Sequence, residues 1–135
     1  MSTVTPHARF RTAVEGGDIE GALACLADDV VFHSPAVHRP YKGRESVGGL
    51  LRCVFDTFED FRYTDELHAE DGSAILVFRA RVQDRDVEGI DLLRFAADGQ
   101  IADFTVMVRP ASGLMALLQE MGPKVEAAGV KPADD

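Results

Sequence analysis

The chain has 135 residues, of which 46% are hydrophobic, and a formal net charge of −9 at pH 7. This length predicts one domain with a single core that needs neither disulfides nor a metal to fold, and it leaves no room for a second domain. The acidic balance disfavours binding to nucleic acids and to anionic membrane surfaces, because both depend on clustered Lys and Arg.

The sequence contains no recognisable targeting segment. Its first 10 residues lack the apolar core of a signal peptide, and no stretch approaches the ~20 apolar residues of a membrane span. Cys25 and Cys53 form no paired-cysteine motif, which predicts two reduced, packed thiols and neither a disulfide nor a metal site. We therefore predict a cytoplasmic protein.

Helices dominate the predicted N-terminal half. Thr5 followed by Pro6 favours a helix start, since proline suits the first helical position after a capping hydroxyl. The predicted elements are helices from Pro6 to Gly16-Gly17, over residues 19–26 and over residues 45–58, and a strand over residues 30–33 that Pro35 stops.

Strands dominate the C-terminal half, ahead of a last helix that Gly122-Pro123 ends. The domain is therefore predicted to cover residues 1–123, followed by a polar, disordered tail over residues 124–135. The predicted strands cover residues 61–68, 73–83, 86–96 and 101–110, with turns at Asp71-Gly72, Asp84-Arg85 and Asp98-Gly99.

The last two of these turns define a strand register in which Asp91 faces apolar side chains. Pairing outward from the final turn places Asp91 opposite Val106, and pairing from the turn before it places Asp91 opposite Phe78. The other face pairs opposite charges, Arg94 with Asp103 and Arg81 with Glu88. A carboxylate without a charged partner in an apolar setting is costly, so Asp91 is predicted to be either functional or hydrogen-bonded to a buried Tyr, Ser or His.

Apolar side chains are predicted to surround Asp91 on one face of the sheet and to line a pocket. The other face mixes isoleucine, leucine and methionine with arginine. Exposing so apolar a surface to water is unfavourable, which predicts a homodimer through that face. The predicted pocket residues are Phe10, Phe32, Phe55, Leu76, Phe78, Leu93, Phe104, Val106 and Val108.

Several short motifs give the chain a family resemblance over residues 6–122. They are residues 17–21 (GDIEG), 26–30 (LADDV), 89–95 (GIDLLRF) and 98–101 (DGQI), together with Pro35 and Gly43. The chain resembles the nuclear-transport-factor-2-like superfamily, and most closely its SnoaL-like and ketosteroid-isomerase-like branches. The resemblance implies an α+β fold in which a cone-shaped, strongly bent antiparallel sheet wraps around N-terminal helices and encloses an apolar pocket on its concave face.

The resemblance also implies an incomplete set of isomerase residues. Asp91 matches the oxyanion-hole aspartic acid of ketosteroid isomerases, a carboxylic acid kept neutral by its apolar site. Ser34 stands where that family has its general-base aspartate, and Phe10 stands where it has an oxyanion tyrosine. Steroid isomerisation by that mechanism is therefore not expected. The limonene-epoxide-hydrolase branch completes a triad with an arginine where this chain has Gly89 and with a second aspartate on the next strand, where Asp103 is predicted to point to the opposite face from Asp91. SnoaL-type polyketide cyclases require a single carboxylate, which Asp91 could supply.

Three hypotheses follow for the function. The first is a cofactor-independent isomerase, cyclase or lyase acting on a small hydrophobic carbonyl compound, with Asp91 as acid or base and Ser34 or His33 assisting. The second is a non-catalytic module that binds or sequesters a hydrophobic metabolite, and the third is a structural domain whose cavity is filled by side chains. No metal is predicted, because His7 and His68 lack metal-ligand spacing.

Overall fold

Over residues 5–133, the computed structural model contains one six-stranded sheet and four helices. Residues 1–4 of the predicted domain and residues 134–135 of the predicted tail lie outside the described residues. The helices are α1 (Pro6–Glu15), α2 (Ile19–Leu23), α3 (Arg44–Thr57) and α4 (Ala111–Ala128), and the strands are β1 (Leu26–His33), β2 (Tyr41–Lys42), β3 (Glu59–His68), β4 (Ala74–Val82), β5 (Arg85–Phe95) and β6 (Ile101–Arg109). The predicted α+β class with a strongly bent sheet is confirmed.

The sheet has the strand order β2-β1-β6-β5-β4-β3. Neighbouring strands are antiparallel, except that β1 and β6 run parallel. Successive side chains point to opposite faces, so buried and half-buried positions alternate along the middle of β5. Two register shifts in β3, one before and one after Tyr63, mark bulges that bend this strand around the core.

The hairpin between β5 and β6 has the predicted register around Asp91. Asp91 lies opposite Val106, as the final turn predicts. A register shift near the turn places Phe95 opposite Ile101 instead of Ala102. This shift is confined to the end of the hairpin and leaves the surroundings of Asp91 unchanged.

The hairpin between β4 and β5 turns one residue earlier than predicted. Its two turn residues are Gln83 and Asp84, both with positive φ, and Asp91 lies opposite Leu76 and not Phe78. A two-residue turn with positive φ at both positions matches the twist of the flanking strands, which offsets the cost of the left-handed backbone. Because the partner moves by two positions, Asp91 stays on the predicted face.

The second helix is shorter, and the first strand longer, than predicted. α2 ends at Leu23, and β1 already begins at Leu26, which pairs with Ile101. The Arg44 guanidinium donates hydrogen bonds to the Leu26 carbonyl, and the Ile101 N–H donates to the Cys25 carbonyl at 2.8 Å. These contacts satisfy the backbone in an extended conformation, so pairing with β6 outweighs the helical pattern of the sequence.

The last helix continues through the proline that was predicted to end it. α4 contains Pro123, and its C-cap is the left-handed Gly129, with φ of 71°. The predicted disordered tail is therefore wrong over residues 124–128, which are helical. Proline removes one helical hydrogen bond, but the side chain of Val125 beyond it packs against the core and offsets part of that loss.

The hydrophobic core fills the space between the inner face of the sheet and helices α1, α3 and α4. Within it, the rings of Phe10 and Phe104 meet edge to face with centroids 5.4 Å apart, which joins α1 to β6. Among residues 5–133, no helix is long and apolar enough to cross a membrane.

Candidate active site

A cavity of about 280 Å³ lies between the inner face of the sheet and helices α3 and α4. This volume is at the lower end of small-molecule pockets, which span roughly 300–1,000 Å³. The open space contradicts the third hypothesis, a structural domain whose cavity is filled by side chains. The lining residues are Phe10, Phe32, Ser34, Pro35, Ala36, Tyr41, Leu50, Leu51, Val54, Phe55, Phe58, Phe61, Tyr63, Phe78, Asp91, Phe104, Val106, Leu117, Leu118, Met121, Gly122 and Val125.

A second hollow, of about 260 Å³, is lined by residues of α1, by the turn that follows it, and by three phenylalanines. The same phenylalanines, Phe55, Phe58 and Phe61, also line the cavity. Their rings form the partition between the two spaces, with Phe58 and Phe61 in contact at a centroid distance of 5.6 Å. The partition therefore limits how long a ligand the cavity accepts in this arrangement.

Asp91 is the one acidic side chain among the described residues that line the cavity. It lies in the middle of β5, and only 6% of its surface is exposed. The Tyr63 hydroxyl on β3 donates a hydrogen bond to Asp91 Oδ2 at 2.8 Å. Among the described residues, Oδ1 receives no hydrogen bond, which leaves this oxygen available to a ligand.

Burial changes the acidity of both partners in this pair. Removal from water raises the pKa of Asp91 to about 7, although the Tyr63 hydrogen bond opposes the rise. The pKa of Tyr63 lies well above its ordinary value, first because the phenol is buried and second because a charge on Asp91 would repel its anion. At neutral pH, Tyr63 therefore remains a hydrogen-bond donor while Asp91 is divided between its acid and base forms.

Ser34 lines the cavity where the first strand ends, as predicted. Its Oγ accepts hydrogen bonds from the backbone N–H groups of Ala36 and Val37, at 3.1 and 3.2 Å. The hydroxyl therefore closes the turn after β1, and no described histidine or carboxylate activates it as a base. This geometry supports a part in shaping the cavity mouth.

His33 lies on the outer face of the sheet, so it is not the residue that assists Asp91 in the first hypothesis. Its Nε2 is 3.1 Å from Asp103 Oδ2, and its neighbour Phe32 points into the cavity. Adjacent strand residues face opposite sides, and β1 continues as a regular strand through His33. The sheet thus separates His33 from Asp91.

Six of the nine predicted pocket residues line the cavity, and three do not. Leu76 and Leu93 are completely buried within the core, and Val108 packs against it from near the end of β6. They share the inner face with Asp91, but this face is longer than the cavity and its remaining length is filled by core packing. The six that line the cavity are Phe10, Phe32, Phe55, Phe78, Phe104 and Val106.

Tyr63 is the main site residue that sequence reasoning missed. It lies opposite Phe78, between two bulges of β3, and its ring is buried. An alternating pattern extended into β3 would have placed Tyr63 beside Asp91, but the bulges hide that alternation. The cavity wall formed by α4 was also missed, because Val125 follows the proline that was predicted to end the helix.

The position of Gly89, two residues before Asp91, has no space for an arginine side chain. A Cβ atom at this position would collide with the ring of Phe78 and with the Met107 carbonyl oxygen. Phe78 packs over the strand where the epoxide-hydrolase branch has its arginine, and Asp103 points to the outer face beside His33. The described residues therefore do not form the triad of that branch.

An α+β cone with an apolar cavity, in which Asp91 is the one buried carboxyl among the described residues, defines the class of this protein, and comparisons agree. The model of the SnoaL-like domain family matches residues 7–104. The structure of a steroid delta-isomerase from Pseudomonas aeruginosa is 42% identical, covers 93% of this chain and 93% of its own, and superposes with a TM-score of 0.86. Comparison with curated protein sequences found no match.

Two further structures are similar. A protein from Silicibacter pomeroyi described as having a cystatin-like fold is 31% identical over 92% of this chain and 87% of its own, with a TM-score of 0.85. A putative isomerase from Bacillus subtilis is 13% identical over 87% and 90%, with a TM-score of 0.63, and shares the fold. The chain belongs to the SnoaL-like family, and it shares its fold with NTF2-like proteins such as one from Cytophaga hutchinsonii, which is 14% identical with a TM-score of 0.64.

Proposed function

We propose that this protein binds a small hydrophobic carbonyl compound and uses Asp91 to move a proton on it, as a cofactor-independent isomerase, cyclase or lyase. The observation that carries the proposal is a buried carboxyl, with a pKa of about 7, in an apolar cavity. Both protonation states are populated at neutral pH, so one group can take a proton and return it. Similarity to the structure of a steroid delta-isomerase supports isomerase chemistry at the level of the family.

The proposed reaction is a proton transfer within the ligand. Ionised Asp91 removes a proton from the carbon beside the carbonyl, and the electrons of the broken C–H bond move into an enolate. Neutral Asp91 then gives the proton back at another carbon of the conjugated enolate, which completes an isomerisation and restores the carboxylate. The apolar walls keep bulk water from the enolate, so Asp91 is the group that protonates it, and the proton held on Asp91 exchanges with solvent between the two transfers.

The two oxygens of Asp91 have different tasks in this mechanism. Tyr63 holds Oδ2 through its hydrogen bond, which fixes the carboxyl plane, and Oδ1 exchanges the proton. Ser34 replaces the aspartate base of ketosteroid isomerases, and its Oγ is occupied by the turn. One carboxyl therefore has to act as both base and acid, which suits substrates whose proton is already acidic.

Deuterium exchange on simple model ketones tests the proposal, so the natural substrate need not be identified first. The protein is incubated in D₂O with a monocyclic β,γ-unsaturated ketone and, separately, with a β,γ-unsaturated ketosteroid. With at least the monocyclic compound, because the cavity is compact, we expect ultraviolet absorption of the conjugated product and deuterium at the carbons that exchange protons with Asp91. No exchange above the buffer rate with either ketone, or with a wider panel of hydrophobic ketones and aldehydes, would count against catalysis.

A non-catalytic binding module is the second candidate, and the positions of Ser34 and Phe10 favour it. The Ser34 hydroxyl is hydrogen-bonded within a turn, and Phe10 is a buried ring without a polar group. Under this candidate the cavity retains a hydrophobic molecule that Asp91 orients through a hydrogen bond. Native mass spectrometry of protein from its own host would then detect a ligand that is bound and released unchanged.

Tyr63→Phe is expected to shift the pH dependence of activity upward. The Tyr63 hydrogen bond lowers the pKa of Asp91, so its loss raises that pKa and moves the acidic limb of the pH–rate profile to higher pH. The loss of a buried hydrogen bond should also lower the free energy of unfolding by about 1–3 kcal/mol. Tyr41→Phe is the matched control, because Tyr41 lines the same cavity and has no hydrogen bond to Asp91 among the described residues. Equal profiles for the two variants would contradict the assigned role.

We further propose that two copies pair through the outer face of the sheet. On this face Glu88 is bridged by Arg79 at 3.0 Å and by Arg109 at 3.1 Å, and not by Arg81 as predicted. Beside these ion pairs runs an apolar stripe of Val77 on β4, Ile90 on β5 and Met107 on β6, in which Met107 is 54% exposed. A two-fold axis places the stripe of one copy on the stripe of the other, which suits a self-complementary apolar surface.

Met107→Glu is expected to convert the dimer to a monomer. A carboxylate on the stripe would be buried against the apolar stripe of the other copy, where the cost of its desolvation opposes association. Sedimentation velocity at micromolar concentration measures the change, and Met115→Glu, an exposed methionine on α4, is the control that should stay dimeric. A monomeric wild-type protein would contradict the proposed interface.

A further inference from the structure

Three side chains with metal-binding atoms converge where α1 meets β3, outside the cavity. His7 lies in the first turn of α1, and Glu66 and His68 lie two residues apart on β3 and therefore on the same side of that strand. The Nε2 atoms of His7 and His68 are 3.2 and 2.9 Å from the same Glu66 oxygen, Oε2. The sequence prediction of no metal site was based on spacing along the chain, whereas the fold brings these distant residues together.

We infer that this cluster of His7, Glu66 and His68 binds a divalent transition metal of the Zn²⁺ type. Zinc binds histidine nitrogen and carboxylate oxygen at about 2.0–2.2 Å in a tetrahedron, which places ligand atoms about 3.3 Å apart. The two nitrogen–oxygen separations in the cluster are already close to that edge length, and all three ligand atoms lie within 4.8 Å of one another. A metal therefore needs only small side-chain shifts to fit among them.

The surroundings of Glu66 favour this interpretation over a plain ion pair. Glu66 Oε1 already accepts a hydrogen bond from Arg11 Nη1 at 3.1 Å, which balances the carboxylate charge. Oε2 remains, and two imidazole rings, which contact each other edge to face at a centroid distance of 4.4 Å, both direct Nε2 at it. The Thr5 hydroxyl is 3.3 Å from His7 Nε2 and would have to turn away or coordinate as well. Two imidazoles and one carboxylate oxygen are a donor set that suits zinc, iron, copper and nickel.

The cluster has the exposure of an open metal site. The side chain of His7 is 14% exposed, that of Glu66 25% and that of His68 48%, so the fourth coordination position faces solvent on the His68 side. Bound metal would fasten the start of α1 to the end of β3. Because α1 also carries Phe10 of the cavity wall and Arg11, whose guanidinium lies 5.7 Å from the centre of the Tyr63 ring, the metal would stabilise the wall next to Asp91.

Calorimetric titration of Zn²⁺ into untagged, metal-free protein tests the inference independently of any catalytic role. We expect one ion per chain, a higher Tm with metal than without, and the visible spectrum of a four-coordinate ion when Co²⁺ replaces Zn²⁺. Affinity should fall at least about tenfold in His68→Ala and in Glu66→Gln, since even residues that only support metal ligands cost that much. His7→Ala gives a third variant should either of these fail to fold.

His38→Ala is the matched control, because His38 is an exposed histidine in the loop after β1 and should leave binding unchanged. Cys25→Ser should also leave it unchanged and so excludes thiol ligation. Absence of Zn²⁺ binding by the wild-type protein, or equal binding by folded His68→Ala and wild-type proteins, would overturn the inference.

Discussion

Asp91→Asn is expected to lower turnover at least about 10²-fold, while the protein still binds its ligand. Asparagine keeps the shape of the side chain and can still accept the Tyr63 hydrogen bond, but it cannot take up or release a proton at this position. General acid–base groups typically contribute 10²–10⁴-fold to rate, and here one carboxyl is proposed to perform both transfers. The deuterium-exchange rate of the responsive ketone measures the effect directly.

Asp103→Asn is the matched control for this experiment. Asp103 is one strand away and undergoes the same chemical change, but it faces the outer side of the sheet beside His33. Its variant should keep wild-type exchange rates. Undiminished exchange in Asp91→Asn would reject the acid–base role, whereas unaltered ligand retention with no exchange in the wild-type protein would favour the binding module.

The stability difference between the wild-type protein and Asp91→Asn is expected to depend strongly on pH. The pKa of Asp91 is about 7 in the folded chain, against ~3.9 for aspartate in an unfolded chain. Between these values the folded chain binds more protons than the unfolded chain, so the wild-type free energy of unfolding falls as pH rises through the window. At about 1.4 kcal/mol per pKa unit, the full loss is on the order of 4 kcal/mol.

Asparagine has no proton to lose, so the variant lacks this contribution. Urea unfolding at pH 5 and pH 8 should therefore show the variant gaining about 2–3 kcal/mol relative to the wild-type protein as the pH is raised. The remaining carboxylates titrate in both proteins and cancel in the comparison. A difference that stays constant between these two pH values would mean that Asp91 is already ionised at pH 5.

Local patterns predicted the surroundings of Asp91 well. The Asp98-Gly99 turn predicted that Asp91 lies opposite Val106, and the register shift between Arg94 and Phe95 preserves this pairing beyond the turn. Gly99 adopts the positive φ that such a turn favours. The other hairpin turns at Gln83 and Asp84, whose side chains give no comparable signal for positive φ. The wrong turn prediction did not change the face on which Asp91 was placed, because a shift of two residues in its strand partner preserves the face.

Longer-range features were not predictable from these patterns. The orientation of His33 depends on where β1 begins, and that is set by its parallel pairing with β6 across a long stretch of sequence. Tyr63 reaches Asp91 through a strand interrupted by bulges, and α4 passes Pro123 because packing of Val125 offsets the lost hydrogen bond. The meeting of His7 with Glu66 and His68 likewise arises only when α1 folds onto β3.

The proposed chemistry depends on an Asp91 carboxyl that is held out of water in an apolar cavity and changes protonation near neutral pH. Carbon-13 NMR of protein labelled at the aspartate carboxyl carbons, with Asp91→Asn used to assign the resonance, follows this group through a pH titration. We predict a single transition with its midpoint at about pH 7, absent from the variant spectrum. A midpoint near the ordinary aspartate value of ~3.9 would contradict the account, because the carboxyl would then be a solvated or ion-paired anion at every pH at which the protein works.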